Sequence, residues 1–496
     1  VIVEDGLIVD VIKQADSVDE KSSGLRLVPG FIDIHTHSDN DLLIDPRGEG
    51  KLAQGVTTDI GGNCGSSAAP VSDALKDERS QQLFRQYGLE VSWNSMNEYL
   101  TLMSQEKRGI NFAPLVGYNS VRASVMGVVD RPPTINEMKE ISRYIEESFQ
   151  AGAVGLSFGM IYPPVCFAKE AELVEVAKIA QKAGKPVTAH IRNEGQRVEE
   201  AVKEIIHIAQ KSRASLQISH LKTAGKKNWN KLDALFCMIE EGIAEGLDIQ
   251  CDRYPYIAAK TGLMGILPPW SYEGGRNATV ERLQNKTERK KTRDWILNDI
   301  YGEEYWGTVM ISHLSLEKNK SFEGKRLQEV AESFSKEPVD FLLDLLLEEK
   351  TMVDGVFFSM NEDNLKRILQ KEYVMIGSDA GARGFDGALA VGRPHPRSYG
   401  SFPRTIAQYV KKGVLSEAEA IKKMTSQPAK KVGMKNRGLI QKGYVADLVL
   451  YDFDKIQDKA DFLNPFQKPE GIHEVYVGGR LAYKNNALIS LNGGVI

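Results

Sequence analysis

The sequence predicts an α/β fold: a closed (β/α)₈ barrel of the TIM type, a small β-sandwich domain assembled from both chain ends, and an insertion before the last barrel strand. Three observations carry that expectation. Short β-rich runs alternate with longer stretches of helical apolar spacing, which is the rhythm of βα units. The runs number eight, as a closed barrel needs, and they end repeatedly in polar, chemically capable residues. Each terminal piece is too short to cover an apolar face alone, so the two ends are expected to pair.

In chain order the eight runs are residues 31–37, 56–64, 112–119, 154–159, 186–191, 216–221, 247–256 and 373–379. Stretches 170–183 and 198–211 between them have the apolar period of outer-ring helices. That period by itself is shared with an open doubly wound sheet. The interval 257–372 far exceeds one crossover helix, so an inserted subdomain is expected at about 270–335. The charged segment 287–304 and the helical pattern of 339–349 support it, and 308–314 reads as a further strand without an assigned sheet. Segments 438–450 and 471–483 look like short strands and are expected to pair with residues 1–28. The expected division is therefore 1–28 and 433–496 for the small β-domain and 29–432 for the barrel. The chain opens at Val1 inside a strand-like pattern, which suggests an incomplete start.

Composition excludes several classes. Lys plus Arg total 63 against 67 Asp plus Glu, a formal net charge of −4, and the only sizeable basic run, 286–293, fits a solvated helix face. A nucleic-acid partner is not expected. Neither is a membrane partner, since no window holds the roughly 18 apolar residues of a span and no signal core follows a basic start. Four cysteines, Cys64, Cys166, Cys237 and Cys251, do not make a disulfide framework in so long a chain. A cytoplasmic protein with reduced thiols is expected.

The strongest local signal is Gly30-Phe31-Ile32-Asp33-Ile34-His35-Thr36-His37. Alternate strand residues point to one side, so His35 and His37 present two imidazoles to one space. A single His-x-His is a weak signal, and repetition strengthens it. His190, His220 and Asp379 also close strand-like runs, and Cys64 closes another within Gly62-Asn63-Cys64-Gly65. Imidazole, thiolate and carboxylate at the C-terminal mouth of one barrel suit zinc and point to a catalytic metal site. His207 lies in an amphipathic pattern and His473 in the terminal β-region, so both read as structural or exposed. His313 ends a strand-like run inside the insertion, and Cys166, Cys237 and Cys251 read as ordinary buried residues.

With these residues in view, the chain resembles the D-aminoacylase family, the N-acyl-D-amino-acid deacylases of the amidohydrolase superfamily. The similarity runs from Val28-Pro29-Gly30 to His37 and through Gln54-Gly55-Val56-Thr57-Thr58, Gly62-Asn63-Cys64-Gly65 and Gly155-Leu156-Ser157. It continues through His190-Ile191-Arg192-Asn193-Glu194, Ile218-Ser219-His220-Leu221-Lys222, Asp252-Arg253-Tyr254-Pro255-Tyr256, Gly377-Ser378-Asp379 and His395-Pro396-Arg397. The resemblance implies that Cys64, His190 and His220 hold a tight zinc, with Cys64 able to bridge, and that His35 and His37 serve a second, weakly occupied position. It implies that Asp379 approaches the metal and acts as general base and acid, and that Lys222, Tyr254, Arg397 and Tyr162 contact the substrate. Many amidohydrolases carry a bridging carboxylated lysine on the fourth strand; residues 154–159 hold none, which agrees with a thiolate in its place. The chain departs from the family pattern at Tyr118-Asn119, at Ala380 and in the long stretch 381–393, which leaves the acyl and side-chain preferences open.

The expected activity is zinc-dependent hydrolysis of an N-acyl-D-amino acid to a carboxylate and a free D-amino acid, the D preference coming from the resemblance. Its partner is that small-molecule substrate. A cyclic-amide hydrolase of the hydantoinase or dihydroorotase type is the enzymatic rival, and a non-catalytic barrel acting in binding or assembly is the rival from another class. Arg122, Arg192, Arg383 and Arg393 are the basic residues considered for an acidic substrate side chain.

Overall fold

The structure is a computed structural model that describes residues 1–12, 24–299 and 303–496. The parts of segments 1–28 and 287–304 at 13–23 and 300–302 lie outside the described residues. Eight strands form one sheet: β1 (Phe31–Asp33), β2 (Val56–Gly61), β3 (Asn111–Gly117), β4 (Gly155–Gly159), β5 (Val187–His190), β6 (Leu216–Ile218), β7 (Ile249–Arg253) and β8 (Val374–Ile376). Every neighbouring pair is parallel and sequential, and β7–β8 pairs across the insertion with Cys251 opposite Val374. A parallel bridge between Thr36 and Ala380 and the bond from Asp379 N to His35 O, 2.8 Å, bring β8 back against β1. The sheet is thus a nearly closed barrel, and an open doubly wound sheet is excluded.

Burial on both faces explains why these strands read as apolar runs rather than alternations. The barrel interior is filled by Ile32, Ile34, Ile60, Ala113, Leu115 and Met375. Outside, helix Val198–Ser212 buries Val198, Ala201, Val202, Ile205 and Ile208 along one stripe, and Arg213 ends it at φ 58°. Each such aliphatic side chain contributes roughly 1.5–3 kcal/mol of burial. Helix Ile135–Ala151 starts at a capping box of Thr134 and Glu137 and stops at Gly152, whose φ of 121° an L side chain rarely adopts.

A buried ion cluster fastens the closure. Lys51 Nζ donates to Asp33 Oδ2 at 2.6 Å, to Ser378 Oγ at 3.0 Å and to the Ala380 carbonyl at 3.2 Å. Asp33 Oδ1 in turn accepts from the backbone N–H of Ser378 at 2.8 Å. Lys51 and Asp33 are both fully buried, so each needs the other's charge.

Residues Leu25–Pro29 pair antiparallel with Leu448–Asp452 in a five-stranded sheet completed by Ile472–Val477, Arg480–Lys484 and Ala487–Leu488. A separate hairpin, Ile2–Glu4 with Leu7–Asp10, touches it through the Leu7–Val445 bridge. The C-terminal tail then leaves this sheet and bridges the barrel at Phe112 through Val495. Between β7 and β8, Ala259–Gly262, Val353–Phe357 and Val309–Leu314 make a three-stranded antiparallel sheet. The run at 308–314 therefore belongs to this excursion, which has its own apolar core around Leu263, Ile296, Ile311, Leu342 and Leu346. No helix among the described residues is long and apolar enough to cross a membrane.

Candidate metal centre and active site

The C-terminal ends of the barrel strands open into a cavity of about 890 Å³. Ligand atoms of His35, His37, Cys64 and Asp379 lie within 4.8 Å of one another there, and so do those of Cys64, His190 and His220. Cys64 belongs to both groups. Its Sγ stands 3.3 Å from His35 Nε2 and 3.6 Å from His220 Nε2, and His220 Nε2 faces His190 Nδ1 at 2.9 Å.

Strand alternation does not account for this convergence. β1 ends at Asp33 and β6 at Ile218, so His35, His37 and His220 all lie beyond the regular strands. Cys64 at φ 52°, His220 at 37° and Asp379 at 53° adopt left-handed backbone that non-glycine residues seldom take. Each such residue costs on the order of 1–3 kcal/mol, and three in one cluster mark a site where tight turns aim side chains inward.

Electrostatics fit a cation. Burial disfavours a charged Cys64, yet His35 and hydrogen bonds from His190 and His220 hold its thiol pKa well below the usual value. Burial likewise opposes ionisation of Asp379, but Arg397, His35 and His37 keep its carboxyl well below the carboxylate range. Burial opposes protonation of His37 and His220 too; Asp379 and Cys64 raise the first to about 9, and Glu194 and Cys64 raise the second to about 9 despite Lys222. A thiolate and a carboxylate facing a ring of imidazoles is the donor set of a zinc site, in which the metal takes the place of the imidazole protons.

Supporting groups orient these rings. Asp252, the penultimate residue of β7, accepts from His35 Nδ1 at 2.9 Å, from the His220 backbone N–H at 2.9 Å and from Gln217 Nε2 at 2.7 Å. Its grip turns His35 Nε2 towards Cys64. Glu194 lies 2.9 Å from His220 Nδ1 and also binds Lys222. Sequence reasoning gave neither acid a role. Within the seventh run, 247–256, Asp252 lies inside rather than at the end, so the run-end signal that marked the other ligands did not mark it.

The residues expected to touch substrate also gather in the cavity. Lys222 Nζ is 2.7 Å from His220 Nδ1, although no strand face relates them. Tyr254 is fully buried, its hydroxyl lacks a partner among the described residues, and the Arg397 guanidinium lies 4.6 Å from its ring centre. Burial opposes the tyrosinate, but Lys222, Arg253 and Arg397 pull its pKa below the ordinary value. Tyr162 stacks edge-on against His190 and shares a hydrogen bond with Thr261 Oγ1 at 3.0 Å. Asn119, at a position that departs from the family pattern, braces this wall by donating to the carbonyls of Gly159 and Tyr162 at 3.1 and 3.0 Å.

His395 positions Arg397: its Nε2 donates to the Ala258 carbonyl at 2.9 Å, leaving Nδ1 to accept from the Arg397 backbone N–H at 3.0 Å. Burial and Arg397 hold the imidazole neutral, well below its usual pKa. The other histidines stand apart. His207 pairs with Glu170 at 3.3 Å on the surface, His473 lies 3.8 Å from Asp452, and His313 lies 3.5 Å from Glu323 in the excursion. Cys251 is buried within β7, and burial and Asp252 push its thiol pKa upward.

Comparisons with known proteins follow the same lines. A family model described as the amidohydrolase family matches residues 26–224, and a second of the same description matches residues 353–483. The chain is 31% identical over 480 residues to a D-aminoacylase of Alcaligenes xylosoxydans xylosoxydans, covering 95% of this chain and 87% of that protein. It is 31% identical over 459 residues to an N-acyl-D-glutamate deacylase of the same organism, covering 92% of this chain and 83% of the relative. A crystal structure of the N-acyl-D-glutamate deacylase of Bordetella bronchiseptica, complexed with zinc and a phosphonate that mimics the tetrahedral intermediate, superposes with a TM-score of 0.82 at 28% identity, covering 99% of this chain and 94% of that one.

Proposed function

The chain belongs to the D-aminoacylase family of the amidohydrolases, and from that premise we propose that its cavity hydrolyses the amide of N-acyl-D-amino acids, releasing a carboxylate and a free D-amino acid. The observation that carries this reading is the convergence of two overlapping ligand groups on Cys64 at the floor of one cavity, with Asp379 in the outer group. Cys64, His190 and His220 would hold the zinc cofactor tightly, and His35 and His37 would serve a second position. When bound, zinc polarises the amide carbonyl and lowers the pKa of a water molecule.

The protein's own groups do the rest. Asp379 is ionised at neutral pH and accepts the proton of the attacking water. It then returns that proton to the nitrogen of the departing amine, which is a poor leaving group until protonated. Arg397 and Lys222 fix the substrate α-carboxylate, Arg397 through a planar pair of donors, and the Tyr254 hydroxyl donates to the same group. Tyr162 closes the wall beside His190 and limits the approach of bulk water. The cyclic-amide alternative usually uses a lysine on the fourth strand, and β4 has none. All four cysteines are free, which supports a cytoplasmic location.

The test is amine release by zinc-loaded protein from paired N-acetyl-D- and N-acetyl-L-amino acids. Release from the D series alone is expected. Equal release from both series, or none from a broad panel, overturns the reading.

A further inference from the structure

Glu194 stands where the metal-ligand cluster meets the residues assigned to the substrate carboxylate. It lies in the turn that follows His190 at the end of β5, and that turn is pinned along its length. Asn193 Oδ1 accepts from the backbone N–H groups of Gly195 at 3.0 Å and Arg197 at 2.9 Å, and Arg192 is bound to Glu204 at 3.0 Å. The Glu194 carbonyl accepts from the Ala224 N–H at 2.7 Å, which joins this turn to the one after β6 and brings the carboxylate against Lys222.

One carboxylate oxygen, Oε1, binds Lys222 Nζ and lies 2.9 Å from His220 Nδ1 and 3.8 Å from His190 Nε2. Lys222 Nζ is itself only 2.7 Å from His220 Nδ1, and its side chain is almost wholly buried there. The two contacts at Nδ1 demand opposite tautomers. An ammonium has donors and no acceptor, so Lys222 bonds Nδ1 only when that nitrogen carries a lone pair, and the ring proton of a neutral imidazole then sits on Nε2. A carboxylate has acceptors only, so Glu194 bonds Nδ1 only when that nitrogen carries the proton, and Nε2 keeps its lone pair. Nε2 is the nitrogen on the metal side, 2.9 Å from His190 Nδ1 and 3.6 Å from Cys64 Sγ. A protonated Nε2 binds no metal. Glu194 and Lys222 therefore compete for His220 Nδ1, and the winner sets whether His220 is a ligand.

We propose that Glu194 is the positioning residue that settles this competition: it accepts from both His220 Nδ1 and Lys222, so that His220 keeps its metal-binding tautomer with the lysine beside it. Without the carboxylate, Lys222 donates to Nδ1, leaves the ring proton on Nε2 and blocks the ligand. An acid behind a histidine ligand ordinarily supports the metal by orienting the ring. Here the same acid also restrains a lysine that opposes metal binding. The inference rests on the zinc position of the proposed function and is independent of which amide is cleaved.

The test is zinc affinity of the full chain, measured by chelator competition without substrate, in the wild type, Glu194→Leu, Lys222→Met and the double variant. Glu194→Leu is expected to lose about 10- to 100-fold. Lys222→Met is expected to hold zinc at least as tightly as the wild type, and adding it to Glu194→Leu should recover most of the loss, because the competing donor is gone. A merely structural role of Glu194 would give no such recovery. Wild-type affinity in Glu194→Leu overturns the proposal, as does an equal loss in the single and double variants or a loss in Lys222→Met as large as that in Glu194→Leu. Should Glu194→Leu fail to fold, the double variant, which leaves no unpaired charge, decides: affinity near wild type supports the proposal and a loss of about 10- to 100-fold overturns it. A wild-type chain that binds no zinc overturns the metal reading itself. The expected pattern of affinities in a protein that releases no amine from any N-acyl-D-amino acid supports the role of Glu194 and removes the deacylase reading.

Discussion

Arg397 Nη1 lies 2.9 Å from Asp379 Oδ2, while the other oxygen of the same carboxylate faces His37 Nε2 at 3.0 Å and His35 Nε2 at 3.5 Å. One carboxylate therefore touches both the metal-ligand cluster and the residue assigned to the substrate α-carboxylate. Arg397 is the largest favourable charge on Asp379, so its removal raises the carboxyl pKa. In Arg397→Met the acid limb of the kcat/KM profile is expected to move to higher pH, with a raised KM. An unchanged limb would show that Arg397 does not act on the base.

Asp379→Asn keeps the side-chain shape and removes the proton acceptor. Turnover should fall by about 10²–10⁴-fold, the usual contribution of a positioned acid-base group. Zinc at the Cys64, His190 and His220 position should remain, as read by metal analysis of the dialysed variant.

Cys64 is the one ligand shared by both groups. Cys64→Ala should therefore cost metal at both positions, with an affinity loss exceeding the about 10- to 100-fold typical of outer groups. Competition with a chelator measures it, and a variant that retained wild-type zinc affinity would remove Cys64 from the ligand set.

Asp252 acts through His35 rather than on substrate. Asp252→Asn loses the charge that fixes the imidazole and should weaken metal at the His35 and His37 position by about 10- to 100-fold. Because Asp252 also holds the His220 backbone, circular dichroism of the variant must stay native for the comparison to count.

Lys423 is buried and donates to the Val374 carbonyl at 2.8 Å, with no carboxylate in ion-pair contact among the described residues. Burial lowers its pKa to about 8. The unfolded chain keeps the proton to about pH 10.4, so between pH 8 and about 10 the unfolded state binds more protons and stability rises with pH. Below pH 8 the cost of the buried charge is present in full. Lys423→Met should abolish this rise, which amounts to about 1.4 kcal/mol per pH unit, in unfolding measured across that window.

The eight barrel strands were legible because a strand buried on both faces carries mostly apolar residues, as Val374–Ile376 does throughout and Phe31–Asp33 does up to its last residue. Residue type at the run ends made His35, His190, His220 and Asp379 stand out, since few side chains offer those donors. The tertiary structure decided the rest. Asp252 meets His35 across 217 positions and Arg397 meets Asp379 across the irregular stretch 380–396, and no local period encodes either distance. The left-handed turns at Cys64, His220 and Asp379, rather than strand alternation, aim the ligands inward. The partner of Val309–Leu314 likewise became visible only when Val353–Phe357 was seen beside it. Local sequence sets which groups a chain can present; closure of the barrel, a balance of contacts between distant segments, sets which groups meet.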